Sequence, residues 1–144
     1  MINADEVFPG LWQGAIPPEG EELRRAGFQM LVLCAVEHQP SDRKFPGLSV
    51  LKVPLTDEAD LVSDQVMRRV VTPAARFVAC AIQNGQKVLV TCHAGINRSG
   101  LVTGLALQML TKWSGKACVE RIRARRHEMA LCNTQFHRIV LNAG

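Results

Sequence analysis

The chain has 144 residues, of which 47% are hydrophobic and 21% charged, a balance that suits one folded domain and excludes a disordered chain. Its formal charge of +4 at pH 7 is compatible with an anionic ligand but is shared by many other kinds of protein. No apolar stretch approaches the roughly 20 residues that a membrane-spanning helix needs. The N-terminus, MINADEVFPG, lacks the charged and apolar regions of a secretion signal. We therefore expect a cytoplasmic protein with no membrane partner.

The first half of the chain predicts three strands and one short helix. Residues 7–13 (VFPGLWQ) predict an edge strand or a hairpin, because Pro-Gly is a turn signal. A short helix over residues 19–26 is ended by a glycine. The continuous apolar runs 29–36 and 48–55 predict strands buried on both faces, and residues 37–47 predict a loop between them.

The second half predicts helices around one more strand. Apolar residues have helical spacing over residues 63–84, where Pro73 either divides two helices or kinks one. Residues 87–91 predict a buried strand, and a helix over about 99–112 is apolar nearly all round. Two further helices are expected over about residues 115–126 and 133–142. Strands that alternate with helices predict a single α/β domain over residues 1–144, with a central, mostly parallel sheet flanked by helices.

The five cysteines argue for reduced thiols rather than for a cross-linked framework. Their number is odd and no pair has CxxC spacing, so neither a disulfide framework nor a zinc site is indicated. One of the thiols is a candidate reactive group. The cysteines are Cys34, Cys80, Cys92, Cys118 and Cys132.

The CHAGINRS loop, residues 92–99, joins the last predicted strand to the apolar helix. Cys92 stands at the carboxyl end of that strand, where open α/β sheets bind ligands. Gly95 gives a tight loop its backbone freedom, and Ser99 can cap the helix. Such a loop turns backbone N–H groups inward beside the positive end of a helix dipole, which suits phosphate. Arg98 can grip two phosphate oxygens with its planar fork, and the same field favours a nucleophilic Cys92 thiolate.

Spacing alone does not separate this loop from chance. Cys132 and Arg138 are also six residues apart, but no glycine, strand or helix start accompanies them. The plain alternative makes Cys92 a small buried residue and Arg98 a surface charge. A polar loop with a glycine between two apolar elements has little packing reason to hold a cysteine. The interpretation as an anion site with a nucleophile is therefore preferred.

At this point the sequence resembles a known family, the cysteine-dependent protein tyrosine phosphatase superfamily. CHAGINRS matches its signature loop, and the A-G-x-x-R-S ending is similar to the dual-specificity phosphatase branch. Three other stretches also resemble that branch: FPGLWQGAIPPEGEELRRAGFQMLVLCA, VPLTDEADL and CNTQF. The resemblance covers nearly the whole chain and implies the fold of that branch.

The resemblance also implies a role for each site residue. Cys92 attacks phosphorus and forms a phosphocysteine, while Ser99 hydrogen-bonds its sulfur and eases its departure. Asp57 protonates the leaving oxygen and later takes a proton from water. Arg98 and the loop amides hold the phosphate oxygens, so neither a metal nor a cofactor is implied. The implied substrate-binding residues are His93, Ala94, Gly95, Ile96, Asn97 and Arg98.

Three positions leave alternatives open. Asp60, in the same loop as Asp57, is the second candidate for the general acid, and both can also be solvated loop charges. Asn133 either braces the loops around the site, as the resemblance implies, or caps a helix. The family usually has histidine directly before the cysteine, where this chain has Thr91. That histidine helps to order the loop and favours the thiolate, so we expect reduced activity or a more alkaline optimum.

The leading hypothesis is a metal-independent phosphatase acting on a phosphorylated protein or peptide. Phosphotyrosine is the expected substrate, with phosphoserine and phosphothreonine added if the pocket is shallow. A second hypothesis is removal of phosphate from RNA 5′ ends, because the Gly-x-Asn-Arg ending also resembles RNA triphosphatases of the superfamily. A third is a phosphate-binding module without turnover, which Thr91 alone supports. The basic run RIRARRH (121–127) predicts a solvated helix face rather than a nucleic-acid surface, so nucleic acid is not the expected partner.

Overall fold

A computed structural model of the chain describes residues 1–58 and 62–144. It contains a five-stranded sheet with the strand order β1-β2-β5-β3-β4. The strands are β1 (Ala4–Phe8), β2 (Leu11–Gly14), β3 (Met30–Ala35), β4 (Ser49–Leu55) and β5 (Val88–Thr91). β1 and β2 form an antiparallel hairpin, and each of the other neighbouring pairs is parallel. The predicted α/β domain with a mostly parallel sheet is confirmed.

Helices flank this sheet. They are α1 (Gly20–Arg25), α2 (Asp64–Val66), α3 (Thr72–Gln83), α4 (Arg98–Thr111), α5 (Gly115–Arg125) and α6 (Thr134–Leu141), with a short 3₁₀ helix at Asp42–Lys44. The helical region predicted around Pro73 is divided by a π-helical turn, Met67–Val71, which joins α2 to α3. Pro73 lies in the first turn of α3, where its missing N–H is tolerated. No helix of the described residues is long and apolar enough to cross a membrane.

The core lies between the sheet and the helix that follows the CHAGINRS loop. β3 and β5 are buried along their whole length, as the continuous apolar runs predict. α4 is buried from Arg98 to Leu107, as expected from a sequence that is apolar nearly all round. These elements hold the loop between them on a rigid base.

The prediction that residues 48–55 form a strand buried on both faces is wrong. β4 is the outermost strand of the sheet, and only Val53 and Leu55 are buried in it. Lys52 and Pro54 are exposed, and such residues protect a sheet edge against pairing with another chain. An apolar run therefore identified the strand but not its place in the sheet.

The strand register brings three chain segments to one edge of the sheet. Leu33 of β3 lies beside Thr91 of β5, and Ala35 of β3 lies beside Leu55 of β4. The residues that follow the carboxyl ends of these parallel strands therefore meet. They include Glu37, Asp57 and Cys92.

Candidate active site

The carbonyl groups of the CHAGINRS loop are held from outside the site. The carbonyls of His93 and Ile96 accept hydrogen bonds from backbone N–H groups at 3.3 and 3.1 Å. The carbonyls of Ala94 and Gly95 each accept a bond of 3.0 Å from the guanidinium of Arg126. Since the C=O and N–H of a trans peptide point to opposite sides, the N–H groups of this loop face the other way, toward the pocket.

The N–H groups of residues 93–98 form a candidate anion-binding surface. None of the backbone N–H groups of residues 93–98 has a hydrogen-bond acceptor among residues 1–58 and 62–144. The pocket has a volume of about 460 Å³, and α4 begins at its floor with Arg98. It is lined by Glu37, Asp57, Cys92, His93, Ala94, Ile96, Asn97, Arg98 and Cys132. Convergent N–H donors at a helix N-terminus bind a phosphate-sized anion.

Cys92 and Ser99 meet at the base of this pocket. Cys92 is only 4% exposed, and its Sγ lies 3.2 Å from the Ser99 Oγ. Ser99 is fully buried in the first turn of α4. Its hydroxyl can donate a hydrogen bond to a thiolate sulfur, which stabilises negative charge there.

Arg98 is clamped at one end and open along one side. Its Nη1 donates to Glu37 Oε1 at 2.5 Å and to the Leu55 carbonyl at 3.0 Å, and its Nη2 donates to Glu37 Oε2 at 2.8 Å. Nε is buried and has no acceptor in the part of the chain that the structure describes. Nε–H and the second N–H of Nη2 lie along one edge of the guanidinium, so this edge can donate to two phosphate oxygens.

The ion pair shifts the titration of both partners. The hydrogen bond from Arg98 lowers the pKa of Glu37 from 4.5 to about 2. The same bond raises the pKa of Arg98. Glu37 is therefore a carboxylate at any pH at which the protein would be assayed. The ring of the exposed His93 lies nearby, with Nδ1 3.8 Å from Glu37 Oε2, at the rim of the pocket.

Asp57 is held over the pocket by two asparagine side chains. Asn97 Nδ2 donates to Asp57 Oδ2 at 3.2 Å, and Asn133 Nδ2 donates to Asp57 Oδ1 at 3.1 Å. Asn97 Oδ1 also accepts the backbone N–H of Asn133 at 2.9 Å. Asn133 caps α6 as well, through its Oδ1 and the N–H of Phe136, so both interpretations of this residue apply. Asp60, the alternative acid, lies outside the described residues.

With this geometry established, comparison with known proteins gives the family. A family model described as "Dual specificity phosphatase, catalytic domain" matches residues 17–144. The chain belongs to this family. Mouse dual specificity protein phosphatase 12 is 39% identical over 102 residues, which are 67% of this chain and 28% of that protein. The chain thus spans little more than a quarter of the length of this relative.

Solved structures agree on the fold. The crystal structure of DUSP15 superposes with a TM-score of 0.81 at 21% identity, covering 98% of this chain and 86% of that one. Human DUSP28 gives a TM-score of 0.77 at 24% identity, with coverage of 95% and 89%. At such identities the likeness concerns the fold of the dual-specificity phosphatases.

Thr91, which departs from the usual histidine of the family, is a buried residue that joins two strands. It is 1% exposed, and its Oγ1 donates to the Val32 carbonyl of β3 at 2.9 Å. Its hydroxyl is thus engaged with the sheet rather than with the CHAGINRS loop.

The interpretation of residues 121–127 as a solvated face is wrong for three of its arginines. Arg121 donates to the Val7 carbonyl at 3.2 Å, Arg123 to the Ala130 carbonyl at 2.9 Å, and Arg126 to the CHAGINRS loop. A long arginine stem can be buried while its head reaches a distant carbonyl, so a charge run is a poor guide to exposure. Ile122, in the same run, is buried in the core.

Glu37 and Arg126 are the site residues that sequence reasoning missed. The sequence marks Glu37 only as the first acidic residue after a predicted strand, and the pairing of that strand with β5, which brings Glu37 to Arg98, is a feature of the tertiary structure. No sequence signal marks Arg126, because its contact depends on how α5 packs. Within residues 1–58 and 62–144, His, Cys, Asp and Glu side chains form no group of three suited to a metal ion.

Proposed function

We propose that this domain is a metal-independent phosphatase that hydrolyses phosphotyrosine in proteins through a phosphocysteine intermediate. Phosphoserine and phosphothreonine join its substrates if the pocket admits short side chains. One observation carries the proposal: the CHAGINRS loop, whose N–H groups at residues 93–98 have no acceptor among the described residues, lines the same pocket as Cys92 and Arg98. An anion-binding surface built around a nucleophile fits transfer of a phosphoryl group.

The first step transfers the phosphoryl group to the protein. The Cys92 thiolate attacks phosphorus, an S–P bond forms, and the bond from phosphorus to the leaving oxygen breaks. Protonated Asp57 gives its proton to that oxygen, so the product leaves as a neutral alcohol or phenol. The loop N–H groups and the Nε–Nη2 edge of Arg98 donate to the three other oxygens while charge is redistributed.

The second step returns the cysteine. A water molecule attacks phosphorus, the Asp57 carboxylate takes its proton, and the S–P bond breaks to release inorganic phosphate. The Ser99 hydroxyl, 3.2 Å from Sγ, donates to the sulfur as its negative charge returns. Asn97 and Asn133 keep Asp57 over the pocket in both steps.

A phosphate-binding module without turnover is the second candidate. Thr91 favours it, because the threonine hydroxyl is engaged with Val32 and leaves the loop without the support of the usual histidine. Such a module would keep the amides and Arg98 but would not depend on Asp57. RNA 5′ ends have weaker support, since Arg121, Arg123 and Arg126 donate to the protein's own carbonyls.

The test is hydrolysis of an aryl phosphate and of phosphotyrosine and phosphoserine peptides, with a chelator present. Native protein is compared with Cys92→Ser, Asp57→Asn and the matched control Glu58→Gln, which removes a neighbouring exposed charge. We expect no turnover by Cys92→Ser and a loss of about 100-fold or more in Asp57→Asn on the unactivated peptides. Glu58→Gln should match the native protein. Native protein that binds orthovanadate but hydrolyses none of these substrates would favour the binding module.

A further inference from the structure

Arg126 follows α5 directly, and its guanidinium lies behind the CHAGINRS loop. The side chain is only 8% exposed. Nε donates to the Gly95 carbonyl and Nη2 to the Ala94 carbonyl, both at 3.0 Å. We propose that Arg126 is a positioning residue that sets the direction of the anion-binding N–H groups, an inference that rests on the proposed function.

The planarity of the peptide group links these carbonyls to the pocket. The Ala94 carbonyl shares a rigid plane with the Gly95 N–H, and the Gly95 carbonyl shares one with the Ile96 N–H. Holding both carbonyls on one planar guanidinium therefore fixes two successive N–H donors on the opposite side. A hydrogen bond to a carbonyl also polarises its peptide group and strengthens the N–H as a donor.

The backbone conformation of Gly95 and its lack of a side chain allow the close contact with Arg126. The φ of Gly95 is +73°, a conformation that glycine adopts without strain. A Cβ at this position would overlap the backbone of Gly14 and lie 2.6 Å from Arg126 Nη2. The Gly95 carbonyl also accepts a bond of 3.0 Å from Gln13 Nε2, whose residue is fully buried. Both acceptor positions of this oxygen are thus occupied, and the loop is held closely against its support.

The guanidinium is itself anchored on its far side. Arg126 Nη1 donates to Asp5 Oδ2 at 2.8 Å and to Asn3 Oδ1 at 3.0 Å. Asp5 lies in β1, so Arg126 connects the first strand to the loop at the end of β5. The positive charge of Arg126 also lies close behind the peptide groups whose N–H groups would face the anion. It therefore stabilises a bound anion by electrostatic attraction.

The experiment compares Arg126→Ala and Arg126→Lys with a matched control, Arg121→Ala. Arg121 lies in α5, the helix that Arg126 follows, and also donates to a backbone carbonyl, that of Val7, but it makes no hydrogen bond to the CHAGINRS loop. For each protein we would measure the thermal midpoint, the Kd for orthovanadate by calorimetry, and kcat and KM separately. Hydrogen exchange of the Gly95 and Ile96 amides at saturating orthovanadate would report how firmly these donors hold the anion.

We expect Arg126→Ala to weaken orthovanadate binding by about tenfold or more, since both hydrogen bonds that fix the Ala94 and Gly95 carbonyls are lost. kcat should fall with it, and exchange at Gly95 and Ile96 in the orthovanadate complex should accelerate. Arg126→Lys keeps the charge beside Asp5 but lacks the fork, so we expect an intermediate loss. Arg121→Ala should leave the orthovanadate Kd within about twofold of native, whatever its effect on the thermal midpoint.

A purely structural role would give a different pattern. Equal losses of thermal midpoint in Arg126→Ala and Arg121→Ala, with the orthovanadate Kd unchanged in both, would overturn the proposal. If Arg126→Ala does not fold, Asp5→Asn loosens the same anchor and should weaken orthovanadate binding by about two- to fivefold; no change would contradict the inference. Native protein that binds orthovanadate without turnover would disprove only the phosphatase function, and the Kd comparison would still decide the role of Arg126.

Discussion

Glu37 and Arg98 form a two-point ion pair in which Nη1 of the guanidinium donates to Oε1 of the carboxylate and Nη2 donates to Oε2. Arg98 comes from the start of α4 and Glu37 from the segment after β3, so the pair joins two neighbouring strand ends. Because Glu37 and Leu55 use the far end of the guanidinium, the Nε–Nη2 edge remains for substrate. The pair therefore fixes the rotation of the arginine before phosphate arrives.

Glu37→Gln should lower phosphatase activity without removing any group that touches substrate. An amide can accept from only one Nη of Arg98 and puts its NH₂ against the other, so the fork loses its fixed orientation. We expect kcat/KM for an aryl phosphate to fall by about 10- to 100-fold. Glu128→Gln, which changes an exposed acid away from the pocket, is the control. If Glu37→Gln has the kinetics of the native protein, the orientation of Arg98 does not depend on Glu37 and the prediction is contradicted.

The same pair predicts how stability depends on pH. The pKa of Glu37 is lowered from 4.5 to about 2 by the Arg98 hydrogen bond, so the folded state binds this proton more weakly than the unfolded state. Its stabilisation is fully present above about pH 5 and is lost as the pH falls toward 2. The free energy of urea unfolding should therefore differ between native protein and Glu37→Gln above pH 5. The difference should shrink below pH 4; a difference that stays the same down to pH 2 would contradict the assignment.

Asn133→Asp separates the two contacts of Asn133. Aspartate can still cap α6 by accepting the N–H of Phe136, but it cannot donate to Asp57 and repels its charge. We expect a small change in the thermal midpoint and a loss of activity on phosphopeptides that need a protonated leaving group. Hydrolysis of a nitrophenyl phosphate, whose leaving group is already acidic, should suffer less. An equal loss on both substrates would show that Asn133 acts elsewhere than on the acid.

Thr91→Val tests whether the threonine hydroxyl belongs to the fold or to the chemistry. The substitution leaves the buried Val32 carbonyl without its side-chain donor, so the free energy of unfolding should fall by about 1–2 kcal/mol. kcat/KM should change by less than about threefold, since the hydroxyl contacts the sheet. Thr91→Ser is the control variant, because it keeps the hydroxyl that Thr91→Val removes. A large fall in kcat at unchanged stability would instead assign the hydroxyl to the nucleophile.

The site was predictable where its residues are neighbours in sequence. Cys92, Gly95, Arg98 and Ser99 lie in one short stretch where β5 passes through a loop into α4, so local pattern and loop chemistry were enough to bring them together. Glu37 depends on the order of the strands, because only the placement of β3 beside β5 puts it against Arg98. Single-strand patterns carry no information about that order.

Two sequence predictions, the burial of β4 and the exposure of Arg126, are wrong for the same reason. β4 has the apolar sequence of a buried strand, yet its place at the edge of the sheet exposes Lys52 and Pro54. Arg126 belongs to a run of charged residues, which predicts an exposed side chain. The packing of α5 against β1 instead places its guanidinium against the loop carbonyls. In both cases burial was decided by tertiary packing, which residue type alone does not determine.

Trapping the phosphocysteine tests the central claim most directly. Native protein is mixed with excess ³²P-labelled phosphotyrosine peptide, quenched in acid at intervals from milliseconds, and digested for mapping by mass spectrometry. We predict label on the peptide that contains Cys92, rising before inorganic phosphate appears and absent from Cys92→Ser. Turnover by native protein with no label on Cys92, or undiminished turnover by Cys92→Ser, would contradict the mechanism.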